Sequence, residues 1–239
     1  MKNYKEHFTK HDKERFGQFL ENVKLGKEKI AAGALLPHDI IKFLKDFDDG
    51  KVAELQWRRM VADLAKIGKM KNCLAICDVS GSMGGTPMEV SIALGLLVSE
   101  LSESPWKGKL ITFSVDPELQ TIEGETLLEK TGFIERMDWG MNTDFQKVFD
   151  LILQVAVRRK LRRKYMIKRV FVFSDMEFDQ ALRTIGRHII KRYKGSSRPV
   201  GTGPWCLRLS SGILETQRQH QYQVQRKGWC SLVVFQRIC

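Results

Sequence analysis

One short stretch, Asn72 to Gly85, constrains the fold of this chain more than any other. Its residues Cys73 to Cys77 are apolar enough to form a buried strand, and the polar, glycine-rich loop D-V-S-G-S-M-G-G follows at once. In open α/β sheets, ligands bind beyond the carboxyl ends of the strands. An acid and two hydroxyls at alternate positions, Asp78, Ser80 and Ser82, therefore indicate a metal site at the end of a central strand.

The residues after this loop alternate between helix and strand signals, which predicts an α/β fold with a doubly wound, mostly parallel, Rossmann-like sheet. The first predicted helix has Thr86 at its N-cap, Pro87 at its first position and Glu89 at its third. Strands are predicted at 109–114, 119–122 and 169–174, and helices at about 126–137 and from 145 onward.

The first 70 residues carry three apolar stripes at helical spacing and no catalytic constellation. We expect residues 1–70 to be a helical lead-in that packs on an α/β domain of residues 71–180, or to be the end of a longer helical module. Cys73 and Cys77 share one face of the first strand, so we expect both thiols to be buried, reduced and structural.

Two later positions add oxygen donors to the same end of the predicted sheet. Thr143 lies at the start of the helix that follows, where its hydroxyl alone would be an ordinary N-cap. Asp175 directly follows the apolar strand predicted at 169–174. Because the carboxyl ends of parallel strands meet at one edge, we expect Thr143 and Asp175 to join Asp78, Ser80 and Ser82.

This five-residue pattern resembles the metal-ion-dependent adhesion site of the von Willebrand factor A (vWA) superfamily. The resemblance implies Mg²⁺, with Mn²⁺ as a substitute, coordinated by the hydroxyls of Ser80 and Ser82 and by Thr143 directly or through water. Asp78 and Asp175 would act largely through water and hydrogen bonds to the hydroxyls. The open coordination position would take an Asp or Glu carboxylate from a protein partner.

The segment from about Phe16 to Ala181 resembles the C-terminal part of an uncharacterised plant family with a domain of unknown function. The motifs are A-E-L-Q-W-R-R-M, D-V-S-G-S-M-G-G-T-P-M-E-V and F-V-F-S-D-M-E-F-D-Q-A. That family is similar to the vWA half of the TROVE (Ro-type) RNA-binding proteins. Because the resemblance ends at Ala181, we expect a sheet that is incomplete on its C-terminal side, with the strand ending at Ser174 as an exposed edge.

The net charge of +12 is concentrated after Ala181. Residues 181–239 hold 11 Lys and Arg against one acid, whereas residues 1–180 hold 29 Lys and Arg against 27 Asp and Glu. This atypical tail is either a genuine basic segment that binds RNA, DNA or another anionic surface, or the product of truncation and a shifted reading frame, which we favour. The genomic DNA across codon 181 distinguishes the two.

Three functions stay open at this point. The first is a non-enzymatic, Mg²⁺-dependent protein-interaction domain, and the second is an RNA-associated protein of the Ro-like type. The run Arg158 to Lys164, with six basic residues in seven, supports the second, although cations at the end of a helix also complement its dipole. The third is a non-functional truncated product.

Catalysis and membrane insertion are disfavoured by the sequence. Ser80 and Ser82 lie in no G-x-S-x-G motif and have no His in a neighbouring strand-end loop, so we expect no enzymatic activity. There is no apolar run near 18 residues and no charged-then-apolar N-terminus. We therefore expect an intracellular protein, cytoplasmic or nuclear, without a membrane partner.

Overall fold

The computed structural model describes residues 11–45, 50–68, 70–138, 140, 145–174, 205–210, 219–226 and 229–237. Six α-helices and seven strands lie in these ranges. The helices are α1 Lys13–Lys24, α2 Pro37–Lys42, α3 Lys51–Ile67, α4 Thr86–Leu101, α5 Leu127–Glu135 and α6 Phe145–Arg158. The strands are β1 Cys73–Cys77, β2 Lys109–Thr112, β3 Leu119–Thr121, β4 Arg169–Ser174, β5 Trp205–Ser210, β6 Gln219–Arg226 and β7 Trp229–Arg237.

The strands form one mixed sheet in the order β3-β2-β1-β4-β7-β6-β5. β1 pairs in parallel with β2 and β4, and its whole length matches β4, from Cys73 opposite Arg169 to Cys77 opposite Phe173. β3 pairs antiparallel with β2. The predicted α/β fold, with a mostly parallel four-strand core and a helical N-terminal segment, is confirmed.

The expectation that β4 is an exposed edge is wrong. β7 pairs in parallel with β4 along its full length, from Arg169 opposite Leu232 to Ser174 opposite Arg237. β6 and β5 extend the sheet further by antiparallel pairing. An edge strand presents a row of unpaired backbone N–H and C=O groups, and the apolar run that ends at Phe235 supplies a strand of suitable length to pair with them.

β1 is an interior strand of the sheet, and helices cover both faces of the sheet beside it. All five of its residues are fully buried. Alternate side chains of a strand point to opposite faces, and those of β1 enter two separate apolar clusters. Cys73, Ala75 and Cys77 pack with α3, α4 and α5, whereas Leu74 and Ile76 pack with Trp106, Val148, Ile152 and Val172.

The N-terminal helices are joined to the sheet domain by polar contacts as well as by apolar packing. Trp57 of α3 is 2% exposed, and its indole Nε1 donates to Glu100 Oε2 of α4 at 2.8 Å. Glu100 also pairs with Lys130 of α5 at 2.7 Å. Glu54 of α3 accepts the backbone N–H of Leu127 at 2.6 Å, so α3 contacts both helices of this face.

No helix in the described part of the chain is long and apolar enough to cross a lipid bilayer.

The two thiols of β1 are both free and fully buried, in agreement with the structural role expected for them. Desolvation raises the pKa of Cys77 from 9.0 to about 12, although a hydrogen bond with the Ser91 side chain acts in the opposite direction. Desolvation likewise raises the pKa of Cys73. Neither thiol is therefore suited to act as a nucleophile near neutral pH.

Burial of Cys77 predicts a loss of stability at alkaline pH. The folded thiol keeps its proton up to about pH 12, whereas the unfolded thiol ionises from about pH 9. The unfolded state therefore binds fewer protons between these values, and Cys77 lowers the free energy of unfolding by up to about 1.4 kcal/mol per pH unit as the pH rises. Urea unfolding at pH 8 and pH 10.5 should show this loss in the wild type and a smaller loss in Cys77→Ala. Equal losses in the two proteins would contradict it.

Candidate metal centre

The position of Asp78 is fixed by the pairing of β1 with β4. Its backbone N–H donates to the Phe173 carbonyl oxygen at 3.0 Å, one residue beyond the end of β1. The residue is 1% exposed. Its carboxylate therefore lies buried at the carboxyl end of the central parallel strand, as the sequence predicts.

Both oxygens of the Asp78 carboxylate accept hydrogen bonds. The backbone N–H of Ser80 donates to Oδ1 at 2.9 Å, and the Ser174 hydroxyl donates to Oδ2 at 2.5 Å. Within the described ranges, no Lys, Arg or His forms an ion pair with this carboxylate. Burying a carboxylate without a cation costs several kcal/mol, which makes this a site where a bound cation would be stabilising.

The two serine hydroxyls of the loop lie side by side. Ser80 Oγ and Ser82 Oγ are 3.0 Å apart. Ser80 is 9% exposed and Ser82 is exposed. A short 3₁₀ helix, Gly81–Met83, produces this arrangement: its Met83 side chain is fully buried, and the Met83 N–H donates to the Ser80 carbonyl oxygen at 3.0 Å. The buried Met83 side chain therefore anchors the loop in the core, while Ser82 reaches the surface.

The helix after the loop begins one residue earlier than the sequence suggested. Gly85, not Thr86, is the N-cap of α4, with φ of +84° and ψ of −139°. Only glycine adopts this backbone conformation without strain, so the second glycine of the G-G pair lets the loop turn into α4. The Thr86 hydroxyl instead accepts a hydrogen bond from Lys42 at 3.4 Å, and Lys42 also pairs with Glu89 at 3.1 Å.

The remaining two predicted ligands, Thr143 and Asp175, lie outside the described residues, so their part in the site stays a prediction. Their described neighbours are well defined. Ser174 contacts Asp78 directly, as above. Gly140, three residues before Thr143, donates its backbone N–H to the Phe113 carbonyl oxygen at 2.9 Å, just beyond the end of β2. The structure thus brings together Asp78, Ser80 and Ser82 of the predicted set.

Ser174 is the residue of this site that the sequence analysis did not identify. It is fully buried at the last position of β4 and contacts the Asp78 carboxylate. The available signal was a hydroxyl residue at the end of the otherwise apolar strand R-V-F-V-F-S, next to Asp175. Its partner is 96 residues away in sequence, so recognising the contact requires the register of β1 and β4.

The donor set fits a hard divalent cation. Mg²⁺ takes oxygen ligands at about 2.1 Å in octahedral geometry, for which adjacent ligands lie about 3.0 Å apart. The two hydroxyl oxygens of Ser80 and Ser82 have this separation. No group of three His, Cys, Asp or Glu side chains in the described ranges is placed to hold a metal ion. The donors described at this site are hydroxyl and carboxylate oxygens, which suit Mg²⁺ better than a softer metal.

Comparison with known proteins identifies two families and one relative. Residues 72–223 match the model of a domain of unknown function, DUF7788, and residues 1–70 match that of another, DUF2828. The first match runs past Ala181, where the sequence analysis placed the end of the family resemblance. An uncharacterized protein, L728 of Acanthamoeba polyphaga mimivirus, is 37% identical over 166 residues, which is 69% of this chain and 29% of L728.

This chain therefore spans about three tenths of the length of its viral relative. No solved structure matches it significantly. The match to the first family covers well over half of the chain, including β1 to β4, the loop from Asp78 to Gly85 and Ser174. The chain belongs to the DUF7788 family.

Proposed function

We propose that this chain is a non-enzymatic, Mg²⁺-dependent protein-interaction domain that binds an Asp or Glu carboxylate of its partner. The observation that carries the proposal is the buried Asp78 carboxylate, without a cationic partner in the described residues, which accepts the backbone N–H of Ser80. The hydroxyl oxygens of Ser80 and Ser82 are 3.0 Å apart in the same loop. The resemblance of the full five-residue pattern to the vWA adhesion site supports the same assignment.

Each residue would have a distinct task. Ser80 and Ser82 would coordinate Mg²⁺ through their hydroxyls, together with Thr143, while Asp78 and Asp175 would balance its charge. Bound Mg²⁺ supplies an electrophilic centre for a carboxylate oxygen. Ser82 is exposed, so a ligand beside it is reachable from solvent. Ser174 fixes the orientation of the Asp78 carboxylate through its hydrogen bond.

Affinity capture tests the proposed interaction. Immobilised wild type and an Asp78→Ala variant are exposed to a lysate in Mg²⁺ and in EDTA. Asp63→Ala, which alters an exposed carboxylate on α3, is the matched control. We expect a protein that is retained by the wild type and the control in Mg²⁺ and is lost in EDTA and with Asp78→Ala. If every captured protein withstands both EDTA and Asp78→Ala, the adhesion function is wrong.

A further inference from the structure

The segment from Arg158 to Lys164, here called the basic segment, links α6 to β4. The side chains of Arg158, Arg159, Lys160, Arg162 and Lys164 are all exposed. None of them pairs with an acid among the described residues. The dipole of α6 stabilises one or two cations near its last turn. The other cations of the basic segment lie beyond the end of α6.

The backbone next to these cations is held in place by buried side chains. Trp106 is fully buried, and its indole Nε1 donates to the Tyr165 carbonyl oxygen at 2.7 Å. The side-chain amide of Asn72 donates to the Lys164 carbonyl oxygen at 2.6 Å. Met166 and Ile167 are buried immediately afterwards. The end of the basic segment is therefore pre-organised, which lowers the ordering cost of binding a ligand.

An exposed aromatic ring accompanies the cations. Tyr165 is 36% exposed, and the Lys164 ammonium lies 4.7 Å from the centroid of its ring. Cations that follow a phosphate backbone, together with an aromatic ring on which a base can stack, are the combination by which proteins bind single-stranded nucleic acid. Three of the five described cations are arginines, and each planar guanidinium group can donate to two phosphate oxygens at once.

The basic segment lies at the opposite end of the sheet from Asp78. Lys164 contacts Asn72 and the following residue, Tyr165, contacts Trp106, just before β1 and β2 at the amino ends of these parallel strands. Asn72 and Asp78 are six residues apart along β1, or about 20 Å. The two sites can therefore be occupied independently.

We propose that the basic segment and Tyr165 form a binding site for single-stranded nucleic acid, separate from the metal centre. An anionic lipid surface offers phosphates too, but a helix that lies on a membrane presents a whole apolar stripe to the lipid. In α6 the side chains of Val148 and Ile152 are buried against the sheet. Val157, which is 74% exposed, is a single apolar side chain, so the surface fits a nucleic acid better.

Fluorescence anisotropy with a labelled 20-nucleotide single-stranded RNA tests the proposal on the full chain. The variant is Arg158→Gln with Arg159→Gln and Arg162→Gln. We expect it to bind about tenfold or more weakly and to reduce the slope of log K against log salt by about 2, because each lost phosphate contact on a single strand contributes about 0.7. Tyr165→Ala should weaken binding roughly fivefold or more through lost stacking.

The control carries the same change of charge elsewhere. Lys13→Gln with Lys27→Gln and Lys29→Gln alters three exposed cations of the N-terminal segment and should leave the affinity within about twofold. Equal losses in the two triple variants, or no RNA binding by the wild type, would overturn the proposal. So would binding to phosphatidylserine vesicles that is lost with the arginines while RNA binding is unchanged. EDTA should not alter the result, which separates this site from the proposed adhesion function.

Discussion

Asp78→Ala is expected to abolish Mg²⁺ binding by this protein. The wild-type carboxylate is 1% exposed and accepts the backbone N–H of Ser80, whose hydroxyl is 3.0 Å from that of Ser82. Its removal takes away the negative charge that would attract the cation. Isothermal titration calorimetry measures the loss directly. In a thermal melt, Mg²⁺ at about 100 times its Kd should stabilise the wild type by about 2.7 kcal/mol and leave Asp78→Ala unchanged.

Two further variants make this result specific. Asp63→Ala should bind Mg²⁺ like the wild type, since Asp63 pairs with Arg59 and Lys66 on the surface of α3. Ser174→Ala removes a hydroxyl that orients the Asp78 carboxylate but is no proposed ligand, so we expect weaker binding, by about tenfold, rather than none. Far-UV circular dichroism confirms that each variant is folded. Mg²⁺ affinity unchanged in a folded Asp78→Ala protein would remove Asp78 from the site.

The elements that the sequence predicts best are those with a strong local apolar signal. β4 has the predicted bounds, Arg169 to Ser174, because a parallel strand covered on both faces is a nearly continuous apolar run, and four of its six residues are buried. β1 follows the same rule. The loop after β1 was identifiable because its carboxylate and hydroxyls follow that run immediately. Local patterns therefore located Asp78, Ser80 and Ser82 at the carboxyl end of the central strand.

The features that sequence reasoning missed depend on backbone conformation or on distant pairing. The positive φ of Gly85 moves the N-cap of α4 from Thr86 to the glycine, and a capping-box pattern alone does not distinguish the two. Ser174 contacts Asp78 only because β1 and β4 pair in register. β7 covers the edge of β4 through pairing over about 60 residues of sequence, and no periodicity within β4 indicates its partner.

Gly95→Ala is expected to destabilise the protein strongly, although alanine is the better helix former by about 1 kcal/mol. Gly95 lies in α4 against β1, and a Cβ atom added there would be 2.1 Å from Cys77 Sγ. Cys77 is fully buried in β1, so the clash has to be relieved by rotating its side chain within the packed core or by moving α4 or β1. We expect the free energy of unfolding, measured in urea, to fall by about 3 kcal/mol. Gly17→Ala in α1, where a Cβ meets no atom within 4 Å, should instead be neutral or stabilising.

The double variant Cys77→Ala with Gly95→Ala determines whether this contact is the cause. Removing the sulfur makes room for the new methyl group, so Gly95→Ala should cost at least 2 kcal/mol less in the Cys77→Ala protein than in the wild type. An equal cost in both would place the strain elsewhere. Because Cys77 directly precedes Asp78, displacement of β1 by Gly95→Ala should also weaken Mg²⁺ binding, and the double variant should restore it. Close packing of α4 on β1 would then determine the position of the carboxylate as well as the stability of the sheet.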